Sequence, residues 1–168
     1  ITEYIQFSKP IFCRVDVCSV IEDALRKNRD KLVRSKSIVL KKFEKDLPPV
    51  LSDKDQLRYI FDNVFSNAIS IAPEGKDLSL SAAVSDRDLR GMNHLAGLEE
   101  LDGRTVEIAI PLAYLKMNSL TLPDSPPITG LRLFLTQRLV NKNLGLMEIK
   151  AIAEGEALIK IQLPAAFN

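Results

Sequence analysis

The sequence predicts an α+β domain, a two-layer α/β sandwich in which helices cover one face of a mixed sheet. Three observations predict it. Segments with the helical period and segments with the strand period come in groups along the chain, in the order helix, strand, helix, strand, strand, helix, strand, strand, rather than in strict alternation. The 168 residues are 46% hydrophobic and 27% charged, which suffices for one domain with its own core. The stretch "DKDQLRYIFDNVFSNAISIAPEG", residues 53–75, carries an unbroken amphipathic stripe on which such a core can be built.

The elements follow in order. "ITEYIQFSKP" sets Ile1, Tyr4 and Ile5 on one helical face and stops at Pro10, so residues 1–10 are expected to be the end of an upstream helix and a linker, with the domain proper at 11–168 and the whole a segment of something longer. "VDVCSVIEDALRKNRDKLVRSKS" has an N-cap at Asp16 and places Val17, Val20, Ile21, Ala24, Leu25 and Leu32 at helical spacing, predicting one helix. "SIVLKKF" reads as a short strand, and Val50 and Leu51 form another after a proline-bearing connector. In the next helix Leu57, Ile60, Phe61, Val64, Phe65, Ala68 and Ile69 form the apolar stripe, ended by Pro73 and Gly75. Leu78, Leu80, Ala82 and Val84 alternate, as do Val106, Ile108, Ile110 and Leu112, predicting two half-buried strands. Residues 86–103 between them are far more than a hairpin needs. Leu89, Met92, Leu95, Leu98 and Leu101 recur there every third residue, predicting a short helical excursion. "TGLRLFLTQRLVNKNLG" reads as a helix closed by Gly145, and the remainder as a hairpin turning at Glu154 and Gly155.

Composition excludes several functions. With 23 basic and 22 acidic residues the net charge is +1, so no global field draws nucleic acid or a membrane surface. No apolar run reaches the roughly 18 residues of a membrane span, and no signal-peptide pattern opens the chain. Cys13, Cys18 and the distant His94 make a poor zinc set, so two free thiols, buried or half-buried, are expected in a reducing cytosol. A lone histidine argues against histidine catalysis and against a phosphate-accepting histidine in this segment.

The long helix carries Asn63 and Asn67 one turn apart. Asparagine is a mediocre helix former because its amide competes for backbone hydrogen bonds. With Ser70, the pair forms a second stripe on the flank of the apolar one, where a pocket wall would stand. That pattern fits either solvent or a polar ligand.

The element order and these stretches resemble the ATP-binding catalytic domain of sensor histidine kinases, a branch of the Bergerat-fold ATPases. "VDVCSVIEDAL" is similar to that family's first helix and "DKDQLRYIFDNVFSNAI" to its N box. "TGLRLFLTQRLV" with the hairpin ending "IQLP" resembles its last helix and final strands. The likeness covers residues 11–164. It implies that Asn63 and Asn67 face the nucleotide, the second coordinating the magnesium ion that bridges the phosphates. A neutral amide oxygen suits that ion. It also implies several losses. The family's Asp-x-Gly-x-Gly box falls on "PLAYLKMN", putting Leu112 at the adenine-binding carboxylate and Tyr114 and Lys116 at the glycines. An unpaired adenine amine costs about 1–3 kcal/mol, roughly 10- to 100-fold in affinity. In the glycine-rich box "ITGLRL", Gly130 is kept, while Ile128 and Arg132 replace glycines. Ser70 and Ile71 stand where a basic and an aromatic residue often follow the N box. Lys116 and Arg132 offer an alternative, electrostatic hold on an anion.

The expectation is therefore a histidine-kinase-type ATP-binding domain with a degenerate nucleotide site, a pseudokinase acting in cytoplasmic two-component signalling as a regulatory or protein-interaction module. No catalytic residue is assigned, and ATP and magnesium are expected only if the site still functions. The expected partners are the dimerisation helices of its own chain, through which it would form a homodimer, and a response regulator or other signalling protein. Neither nucleic acid nor membrane insertion is expected. Two alternatives stand: a functional ATP/magnesium-binding kinase domain with an altered pocket, and the scaffold of a histidine phosphotransfer protein.

Overall fold

The computed structural model describes residues 8–89, 101–113 and 127–167. Two helices begin where the sequence supplies a capping aspartate. Asp16 accepts from the amides of Cys18 and Ser19 and opens α1 (Val17–Lys27). Asp53 does the same for Asp55 and Gln56 at the start of α3 (Lys54–Ile71). Between them lie α2 (Arg29–Arg34) and the strands β1 (Cys13–Val15), β2 (Val39–Phe43) and β3 (Val50–Ser52). After α3 come β4 (Leu78–Ser85), β5 (Leu101–Ala113), α4 (Pro127–Lys142), β6 (Leu146–Ala153) and β7 (Glu156–Ala166).

The seven strands form one mixed sheet in the order β1-β3-β7-β5-β4-β2, with β6 also paired to β7. Among the described residues only β2 and β4 run parallel; every other pair is antiparallel. β7 is the spine. It pairs with β5 from Leu101↔Ala166 to Ala113↔Glu156, with β6 along its first half, and with β3 through Ala165↔Val50. The two-residue turn at Glu154 and Gly155 joins β6 to β7, Gly155 taking the positive φ of 75° that such turns favour in glycine.

Helices α1, α3 and α4 lie on one face of this sheet. Phe61 and Phe65 of α3 stack with ring centroids 5.9 Å apart and are wholly buried against Ile108 and Ile110 of β5 and Ile159 and Ile161 of β7 in a single core. The two-layer architecture predicted from the grouping of elements is the one observed.

Four local expectations are corrected. The helix read from Asp16 onward is two helices: Asn28 leaves the helical region at φ −94° and ψ 9°, shares its N–H between Ala24 O and Leu25 O, and donates its side-chain amide to Ala24 O at 2.9 Å, which closes α1. β1 was not legible: three residues after a proline offer too little alternation, and pairing with β3 makes the strand. Leu101, read with the helical excursion, opens β5 instead. It packs with Leu51, Ala166 and Phe12 in a small second core, and the ladder shifts register between Leu101 and Thr105, where Gly103 has φ 86°. Leu89 is buried in irregular chain, while Met92, Leu95 and Leu98 lie outside the described residues. Of the thiols, Cys18 is half-buried but Cys13 is exposed.

Candidate functional site

The site residues are organised by α3. Its apolar stripe is buried throughout, and this fixes the rotation of the helix and leaves Asn63 and Asn67 half-buried on its flank. Asn67 donates Nδ2 to the backbone O of Asn63 at 2.9 Å, so its amide hydrogen is committed to its own helix while Oδ1 can accept or ligate. Asn63 Nδ2 is shielded from solvent and has no hydrogen-bond partner. Such an orphaned donor costs about 1–3 kcal/mol and suits an oxygen-rich ligand. One turn on, Ser70 donates back to Ser66 O at 2.6 Å and brings no charge.

The other predicted positions lie elsewhere. Leu112, near the end of β5, is buried. It lines an apolar cleft of about 180 Å³ with Leu32, Ile69, Leu78, Ile152 and Ala157. Lys76 and Glu156 also line that cleft, and they form an ion pair with each other. Asn63 and Asn67 are not part of its wall. Gly130 falls within the first turn of α4, and Arg132, also in α4, is exposed. Tyr114 and Lys116 lie outside the described residues. Ile71, at the end of α3, is 39% exposed.

An ATP–magnesium group therefore meets an uneven fit. The asparagines offer a free amide oxygen and an orphaned donor, the right chemistry for a cation and a phosphate oxygen. Leu112, at the position where the resemblance implies the adenine-binding carboxylate, is aliphatic and has no acceptor to offer an exocyclic amine.

Sequence reasoning missed a buried polar network at the opposite end of α3. Asn143 Oδ1 accepts from Ser52 Oγ at 2.9 Å and from the Asp53 amide at 2.8 Å. Its Nδ2 donates to Gln56 Oε1 at 2.8 Å and to Leu139 O at 3.0 Å. Gln56 Nε2 in turn donates to the O and Oγ of Ser8, and the Ile11 amide to Asp53 Oδ2 at 2.8 Å. The incoming segment, the start of α3 and the end of α4 are thus tied together. The available signal was Gln56 beside Leu57, a polar residue on a face that had to be buried.

Elsewhere Lys27 pairs with Asp62 at 2.6 Å across α1 and α3. Burial, then the carboxylates of Asp16 and Glu22, push the Cys18 thiol above its ordinary pKa. Among the described residues no three His, Cys, Asp or Glu side chains converge as a metal site, and no helix is long and apolar enough to cross a membrane.

No protein-family model and no curated protein matches the chain. Solved structures do. Full-length ShkA in complex with AMPPNP superposes with a TM-score of 0.70 at 16% identity, covering 99% of this chain and 34% of that one. The Acinetobacter baumannii histidine kinase AdeS gives 0.67 at 16%, covering 99% and 74%. A nucleotide-free form of the catalytic domain of histidine kinase ThkA gives 0.66 at 12%, covering 92% of this chain and 97% of that domain. With one α3-centred core under a mixed sheet and this match over nearly the whole of an isolated catalytic domain, the chain has the fold of the ATP-binding catalytic domain of sensor histidine kinases.

Proposed function

We propose that the chain is a histidine-kinase-type ATP-binding domain whose nucleotide site is degenerate, and that it serves two-component signal transduction in the cytoplasm as a regulatory or protein-interaction module. The observation that carries this reading is Leu112. It is a buried aliphatic side chain in an apolar cleft, at the place where the resemblance puts the carboxylate that accepts from adenine. An exocyclic amine desolvated there loses its partner, at about 1–3 kcal/mol. The partners proposed are the dimerising helices upstream in its own protein and a response regulator.

Calorimetry with ATP and magnesium tests this. The expected dissociation constant is weaker than about 1 mM, since the lost contacts remove roughly 10- to 100-fold or more. A low-micromolar constant would overturn the reading.

One observation favours a second reading, a domain that still binds nucleotide in an altered pose. The orphaned Asn63 Nδ2 and the free Asn67 Oδ1 would then hold a phosphate oxygen and the magnesium ion. In that case ATP at 100 times its dissociation constant should stabilise the fold by about 2.7 kcal/mol, and Asn67→Ala should abolish the gain.

A further inference from the structure

We propose that the open edge of β2 is a docking site for an extended, acidic segment of a partner protein, which adds to the sheet as a further strand. The near-zero net charge conceals a strong asymmetry. Residues 26–45 contain nine basic and two acidic residues, +7 in a chain of +1, so the remaining residues sum to −6. These 20 residues form the end of α1, α2 and β2, and among the described residues β2 is the last strand of the sheet.

Several of these cations are engaged: Lys27 with Asp62, Lys36 with Glu74 and Lys41 with Glu22. Among the described residues Arg29, Arg34, Lys42 and Lys45 have no ion-pair partner and remain available to an anion. Among them stand exposed aliphatic side chains, Val33 at 69%, Ile38 at 63% and Leu40 at 47%. Lysines on an edge strand commonly serve to prevent edge pairing. Exposed isoleucine and leucine beside them work against that purpose and favour an apolar contact.

The backbone adds directionality. At its two ends β2 bonds to β4 through Ile38 O, which accepts from the Leu78 amide, and through the Glu44 amide, which donates to Ala82 O, both at 2.8 Å. Alternate residues of a parallel strand bond to the same neighbour, so the N–H and C=O groups of Val39, Lys41 and Phe43 face off the edge. An anionic membrane would answer the charge and the aliphatic side chains but not these backbone groups. A polynucleotide would answer only the charge. An extended acidic peptide with alternating apolar residues answers all three.

The proposal deepens the interaction-module reading above and rests on it only for the kind of partner. The test is fluorescence anisotropy of a short labelled peptide alternating glutamate and valine, titrated with the 168-residue chain. Binding that falls with salt is expected. It should weaken about tenfold when alternate peptide amides are N-methylated, because two or three backbone hydrogen bonds are lost. It should weaken about threefold in Lys42→Glu, an exposed position whose circular dichroism melt should not change. No binding, equal binding of the N-methylated peptide, or sedimentation with phosphatidylserine vesicles without peptide binding would overturn it. The ATP titration is independent: tight nucleotide binding would sink the degenerate-site reading and leave the peptide result standing.

Discussion

Asn143→Ala removes the hub of the polar network that ties the incoming segment and the start of α3 to the end of α4. Asn143 is fully buried, and its amide makes four hydrogen bonds, at 2.9, 2.8, 2.8 and 3.0 Å. Truncation leaves Ser52 Oγ, the Asp53 amide and Gln56 Oε1 without this partner. Ser52 and Gln56 are themselves at most 1% exposed. Two buried polar groups at about 1–3 kcal/mol each give about 2–6 kcal/mol. A water drawn into the vacated space repays part of this, so the expected loss is about 3–4 kcal/mol. Urea denaturation read by circular dichroism measures it. With a slope of about 2 kcal/mol/M, the midpoint should fall by about 1.5–2 M at unchanged slope. Asn67→Ala is the matched control, since that amide bonds only to its own helix. A loss below about 1 kcal/mol in Asn143→Ala, no larger than in the control, would refute the assignment of the network as structural.

Phe65→Ala, in the stacked pair at the centre of the core, should cost about 3–5 kcal/mol, whereas Asn67→Ala should stay within about 1 kcal/mol; equal losses in the same melts would contradict the observed rotation of α3. Gly145→Ala should destabilise by about 1–3 kcal/mol in thermal melts, because the added Cβ would sit 2.6 Å from Gln162 O, a backbone atom held in the sheet. Cys18 should alkylate more slowly than Cys13 at mildly alkaline pH: burial and two carboxylates keep Cys18 protonated, whereas Cys13 is exposed. Mass spectrometry of timed iodoacetamide reactions would show the order.

The sequence by itself determined the architecture, because each main element carries its own periodic burial pattern. The stripe from Leu57 to Ile69 could only be an amphipathic helix, and Leu78 to Val84 and Val106 to Leu112 could only be strands with one buried face. It also singled out Asn63 and Asn67, polar residues on a helix that otherwise reads as core, and, through the family resemblance alone, Leu112. Tertiary structure decided what depends on contacts between distant segments. Leu101 joins a strand because Leu51 and Ala166 are there to receive it. The Asn143 network links residues up to 91 apart in the chain, so no local pattern records it. The charge asymmetry was present in the composition of residues 26–45, but only the sheet order shows that it lies along an open edge. A net charge is a sum over the chain, and the field a partner meets depends on which of those charges the fold brings to one side.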